Sequence, residues 1–165
     1  MDSDGIDEYF MGRCLELAQE SLELGETPVG SIVVRGEQIL AEGREATRAR
    51  FDPSAHAEVE ALRAACAKER SLVLAGCTVY TTVEPCVLCA YALRRAGIVR
   101  VVYGIPAGQA GGITSQYAIL SDQDLTGWPP PPQVREGVRA AECLEILRRP
   151  RPAGRSTIAN RGTIS

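Results

Sequence analysis

His56 is the only histidine in the chain, and it opens the triplet His56-Ala57-Glu58. Thirty positions later stands Pro85-Cys86-Val87-Leu88-Cys89. Imidazole and thiolate are natural ligands for zinc. Cys86 and Cys89 are three apart, so on a helix they share one face. A helix opening at Pro85 points its unpaired N–H groups and positive dipole end at both sulfurs, which favours thiolate. One imidazole and two thiolates leave the fourth tetrahedral position open. Structural zinc sites are closed by four protein ligands, whereas catalytic ones keep a place for water, which the metal acidifies into a nucleophile. Glu58 is then the natural proton carrier. Each half alone supports a plainer reading. A lone histidine is commonly structural, Glu58 could be a solvated helix charge, and Cys86/Cys89 could be a thioredoxin-like redox pair. The redox reading leaves His56-Ala57-Glu58 without a role.

The remaining cysteines read differently. Cys14, Cys66 and Cys143 fall on apolar helix faces, where free cysteine packs as a small hydrophobe. Cys77 lies nine residues before Cys86, at the wrong end of a strand for a fourth ligand. A chain of 165 residues with 45% hydrophobic and 24% charged content suffices for a cored domain and does not need disulfides. No apolar run reaches the length of a membrane span, and Met1 to Glu8 lacks a signal-peptide pattern, so a cytoplasmic setting is expected. The formal charge of -3 argues mildly against a dedicated nucleic-acid binder, although Arg148, Arg149, Arg151, Arg155 and Arg161 cluster at the end.

Periodicity supplies the elements that must hold these residues. Ile6–Leu24 predicts an amphipathic helix with Phe10, Cys14, Leu17 and Ala18 inward. Ser31–Arg35 and Gln38–Ala46 read as strands around a Gly36-Glu37 turn, and 47–55 as a loop. A helix follows over Ala57–Lys68, a strand over Thr78–Val83, a helix from Pro85 to Ala96, and a strand over Ile98–Gly104. Pro106–Thr114 is Gly-rich loop, and Ser115–Leu125 reads as a short helix. Trp128 and Pro129–Pro132 must be extended, either as a lid over the site or as a surface strap. Ala140–Leu147 is the last helix. The alternation implies an α/β layered domain with helices on both faces of the sheet.

The pairing of His-x-Glu with Pro-Cys-x-x-Cys resembles the zinc deaminases of the cytidine deaminase-like superfamily. It is most similar to the branch of guanine, cytosine and tRNA adenosine deaminases. The resemblance covers about Ile6 to Ile146 and is carried by Pro28-Val29-Gly30, Asp52-Pro53-Ser54-Ala55-His56-Ala57-Glu58 and Tyr80-Thr81-Thr82-Val83-Glu84-Pro85-Cys86-Val87-Leu88-Cys89. It implies a three-layer α/β/α domain over 1–147 with a five-stranded mixed sheet, followed by an Arg- and Pro-rich tail over 148–165. It implies Zn2+ on His56, Cys86 and Cys89, Glu58 as catalytic proton shuttle, and a homodimer. Val29 is expected to pack against the substrate ring, with Ala57, Glu84 and Pro85 on the pocket border. The Glu84 side chain could instead be only structural.

Two departures bear on the substrate. Relatives carry an asparagine eleven residues before the zinc histidine, whose amide holds the ring; here that spacing lands on Glu45. An amide donates and accepts, whereas an ionised carboxylate only accepts. Glu45 is therefore expected to select a ring edge rich in N–H donors, unless it merely pairs with Arg44 or Arg48 in solvent. The tRNA-editing relatives carry a lysine-bearing loop where Ile105–Gly112 has no basic residue, and phosphate contacts dominate nucleic-acid affinity. The expectation is a deaminase of a free nucleobase or related small amino-heterocycle. The alternatives are a tRNA adenosine deaminase and a non-catalytic zinc-stapled binding domain. The arginine tail could be disordered, reach a partner's site or touch phosphate.

Overall fold

The computed structural model describes residues 2–153. Helix α1 (Ser3–Glu23) starts where the Asp2 carboxylate accepts the Gly5 N–H at 2.9 Å, satisfying an orphan donor of the first turn. Strands β1 (Gly30–Arg35) and β2 (Gln38–Arg44) form the expected hairpin, with a bulge between Val33 and Val34. A single helical turn, α2 (Thr47–Arg50), sits inside the segment expected as loop. Then come α3 (Ala57–Glu69), β3 (Cys77–Val83), α4 (Val87–Arg95), β4 (Arg100–Ile105), β5 (Gln133–Arg135) and α5 (Ala140–Arg148).

The sheet runs β2-β1-β3-β4-β5. β1 is antiparallel to both β2 and β3, and β3, β4 and β5 are parallel. Alternation along each strand sends successive side chains to opposite layers. Val33, Val79, Val101 and Tyr103 pack with Leu62 of α3 and Leu93 of α4 on one face. Ile32, Val34, Tyr80 and Val102 pack with Phe10 and Leu17 of α1 and Cys143 of α5 on the other. The result is the mixed five-stranded α/β/α architecture expected. Cys14 and Cys143 are fully buried as foreseen, and Cys66 packs at the edge of the first cluster.

One glycine places the catalytic helix. A Cβ at Gly43 of β2 would collide with the Ala57 carbonyl and the Ala61 backbone. Only a residue without a side chain lets the start of α3 lie this close to the sheet.

Two expectations are corrected. The segment 115–125 is not helical: Ser115 Oγ accepts the Tyr117 N–H at 3.0 Å and Asp122 Oδ1 accepts the Asp124 N–H at 2.7 Å. Such local side-chain bonds offer the backbone turns in place of a helix. The helix expected from Pro85 starts at Val87, which makes Cys86 the cap residue. The three-residue strand β5 was implied by the resemblance alone; too short to show a period, it is held by pairing with β4 and by Arg135, which reaches the Asp7 carboxylate at 2.6 Å.

Asp7 is 1% exposed and also receives Arg100 at 2.7 Å and the Tyr80 hydroxyl at 2.8 Å, tying α1 to three strands. Burial works to raise its pKa, but these hydrogen bonds and the two guanidinium charges hold it below the usual carboxylate range.

The Trp128–Pro132 segment is a strap along α4. Trp128 meets Tyr91 edge-on at 5.2 Å and lies 5.4 Å under the Arg95 guanidinium. The Arg94 Nε donates to Pro129 O at 2.7 Å. Arg155 and Arg161 of the tail lie outside the described residues.

Candidate active site

Two helix starts converge on one point. His56 is the cap residue of α3 and Cys86 the cap residue of α4, and neither side chain caps its own helix. Both are therefore free to turn toward each other. His56 Nδ1 lies 3.4 Å from Cys86 Sγ and 3.4 Å from Cys89 Sγ, and the two sulfurs are 3.7 Å apart. A zinc tetrahedron with Zn–S of about 2.3 Å and Zn–N of about 2.0–2.1 Å has edges of about 3.8 Å between sulfurs and about 3.6 Å between sulfur and nitrogen. The three donors already sit at such an ion's spacing. His56, Cys86 and Cys89 can form a metal site, and Cys77 stands apart, its thiol 3.8 Å from Ala75 O.

The acid–base state of the donors points the same way. The hydrogen bond shared by the two sulfurs draws Cys86 down to about 4, and that bond together with burial drives Cys89 far up. The bond to Cys86 lifts His56 to about 9. Two sulfurs 3.7 Å apart do not both ionise readily without a cation close by. A dication removes that conflict, and the dipole ends of α3 and α4 add to its effect on the thiolates.

Glu58, in the first turn of α3, is 4% exposed. Its Oε1 accepts from Thr81 Oγ1 at 3.0 Å, and its Oε2 lies 3.5 Å from Cys89 Sγ. Burial lifts its pKa to about 7, opposed by the Thr81 hydroxyl and a backbone N–H. A carboxyl poised there gives and takes protons at neutral pH. Thr81 owes its position to β3, where it pairs with Ser31 of β1.

The family model for the cytidine and deoxycytidylate deaminase zinc-binding region matches residues 4–105, from α1 through β4. The chain belongs to this deaminase family. Its cofactor is zinc, and the donor set fits that ion. The deaminase is 36% identical over 139 residues to a tRNA-specific adenosine deaminase of Streptococcus pyogenes, spanning 84% of this chain and 80% of that protein. A solved structure from work on A-to-I editing at the tRNA wobble position superposes with a TM-score of 0.78 at 32% identity, covering 84% of this chain and 98% of that one. A Bacillus subtilis guanine deaminase superposes with a TM-score of 0.58 at 37% identity, over 60% of this chain and 64% of its own.

The other expected site residues of the deaminase surround this centre unequally. Val29 O accepts the Glu45 N–H at 3.1 Å, so Val29 and Glu45 stand together beyond the ends of β1 and β2. Glu45 is buried, at 8% exposure, and is not the solvent-facing partner of Arg44, which pairs with Glu20. Burial raises its pKa, while His56, the Thr47 hydroxyl and the Ala57 N–H oppose the rise. Ala57 is buried against Gly43, and Pro85 O accepts the Gly112 N–H at 2.8 Å. The Glu84 carboxylate turns to the loop after β4, accepting the N–H groups of Ala107 at 2.9 Å, Ile113 at 3.0 Å and Thr114 at 2.7 Å. Its side chain is a loop anchor.

Sequence reasoning passed over Thr81, Glu26 and Arg94. A threonine on the helix-facing side of an apolar strand was a usable signal for Thr81. Nothing local marks Glu26 or Arg94, whose partners are more than twenty residues away.

Proposed function

We propose that this deaminase acts hydrolytically on adenosine in tRNA, replacing the ring amino group by a carbonyl oxygen and releasing ammonia. The observation that carries the substrate is the likeness to tRNA-acting deaminases along 80% and 98% of their own lengths. His56, Cys86 and Cys89 would hold the zinc, which when bound would supply the Lewis acidity that makes water a nucleophile at neutral pH. Glu58 takes one proton from the attacking water and passes it to a ring nitrogen, then takes the second from the new hydroxyl and gives it to the departing amine, so that the carbonyl forms as ammonia leaves. Thr81 holds the carboxylate in reach. The reading includes a homodimer, as the resemblance implies, and a cytoplasmic setting, as expected from the sequence; among the described residues no helix is long and apolar enough to cross a membrane. Zinc-loaded protein incubated with tRNA should form inosine with equimolar ammonia. Ammonia from free bases alone, with tRNA untouched, sinks the tRNA assignment.

Glu45 and the basic-free loop 105–112 favour a second reading, a small amino-heterocycle as substrate. A buried carboxylate next to Val29 accepts from a ring edge carrying N–H or amino groups, as in aminopyrimidines, aminopurines and aminotriazines. Under this reading Glu45→Ala costs such rings about tenfold in kcat/KM relative to guanine, the effect of one lost buried hydrogen bond. A preference for guanine retained in Glu45→Ala overturns it.

A further inference from the structure

The loop 46–55 is bracketed by two residues of the site, Glu45 and His56, and its ends are joined by the Ala46 N–H donating to Ala55 O at 3.0 Å. It therefore rises from the rim of the catalytic centre. It is rigidly built. The Asp52 N–H donates to Thr47 O at 3.1 Å, and the Asp52 carboxylate accepts the Ser54 N–H at 2.8 Å and its hydroxyl at 2.6 Å. Glu26, 2% exposed, accepts the N–H groups of Arg48 at 3.1 Å and Ala49 at 2.7 Å.

Phe51 stands where α2 ends, in the left-handed region at φ 52° and ψ 39°. Its side chain is 75% exposed, and no aromatic ring packs on it among the described residues. Glycine or asparagine suits this backbone better, and a phenylalanine gains nothing from burial here. Among the described residues the other non-glycine positions with positive φ are Arg70 and Arg139, whose charged ends are at home in water or, for Arg139, beside Glu142. Folding does not account for the ring at position 51.

The neighbouring charges sharpen the point. Arg50 pairs with Glu60 at 2.8 Å, and Arg63 pairs with Glu60 at 2.7 Å. Arg48, exposed and three residues from Phe51, has no carboxylate within ion-pair distance among the described residues. An exposed ring beside an uncompensated cation on a preformed loop matches what unpaired RNA offers, a base face and a phosphate.

We propose that Phe51 and Arg48 form a docking platform on which a nucleotide flanking the reacting adenosine stacks its base and rests its phosphate. This rests on the tRNA reading, and it supplies, on the loop that leads into His56, the basic contact that loop 105–112 lacks. The test compares wild type, Phe51→Ala, Phe51→Trp and Arg48→Gln on an anticodon stem–loop RNA with a wobble adenosine, with free adenosine as control. Phe51→Ala should raise KM for the RNA about tenfold, the size of one lost base–aromatic stack, with kcat and the adenosine control unchanged. Phe51→Trp should restore the wild-type KM. Arg48→Gln should lower the slope of log affinity against log salt by about one. Phe51→Gly should retain or raise Tm while binding RNA as poorly as Phe51→Ala. An unchanged RNA KM in Phe51→Ala, with wild type active on RNA, overturns the platform and leaves the tRNA reading standing. A wild-type protein that deaminates free bases and no RNA overturns both.

Discussion

The centre of the site and its rim are built by different means. At the centre, His56, Glu58, Cys86 and Cys89 are supplied by the first turns of two helices, and the positions of all four follow from short spacings. The rim is held from a distance. Glu84 gathers the loop after β4 by its N–H groups, and Arg94, 2% exposed, donates to the carbonyls of Ile119 and Pro129 at 2.8 and 2.7 Å. A buried carboxylate holds one part of the segment between β4 and β5 and a buried guanidinium another, with Cys86 and Cys89 between them in the chain. The centre thus gathers ionisable groups in a few residues with little to contribute to packing, while the rim uses charge to fix backbone. Changes at the centre should act on rate, and changes at the rim on stability.

The sharpest way to break that division is to remove the metal. Cys86→Ser, or dialysis against a strong chelator, should abolish turnover and reduce bound zinc far below one per chain, read by metal analysis alongside ammonia release. Near-normal activity in a zinc-free preparation overturns the centre as described. Next in size is Glu58→Gln. Loss of a positioned acid–base group costs on the order of 10²–10⁴ in rate, so kcat should fall by about a thousandfold. Zinc content should hold, and Tm should hold or rise, because a buried carboxyl is replaced by a neutral amide. A fall in Tm with modest loss of kcat marks Glu58 as structural. The smallest effect on chemistry, and the largest on folding, belongs to Arg94→Met. Its buried carbonyl partners lose their donors, at a cost of about 2–3 kcal/mol in urea unfolding, while kcat changes by no more than a few-fold. If Arg94→Met instead removes kcat and spares stability, the rim takes part in the reaction and the division fails.

The same division separates what was legible in the residues from what was not. The spacings of His56, Cys86 and Cys89 point to ligand type and a shared helix face without knowledge of the fold, because a helix turn relates positions three apart by local geometry alone, and they single out Glu58 as the candidate proton carrier. The hydrophobic periods likewise located α1, α3, α5 and the first four strands to within a few residues. The segment 115–125 defeated that reasoning, since its turns depend on serine and aspartate side chains outcompeting a helix. Thr81 reaching Glu58 across 23 residues, Asp7 reaching Arg135 across 128, and Glu84 reaching Thr114 across 30 leave no period to read. Such pairs form only after the sheet has assembled, so tertiary structure alone decided that Thr81 holds the Glu58 carboxylate, that Glu45 is buried, and that the proline strap lies along α4. Local stereochemistry wrote the catalytic groups into the chain, and long-range packing then chose their neighbours.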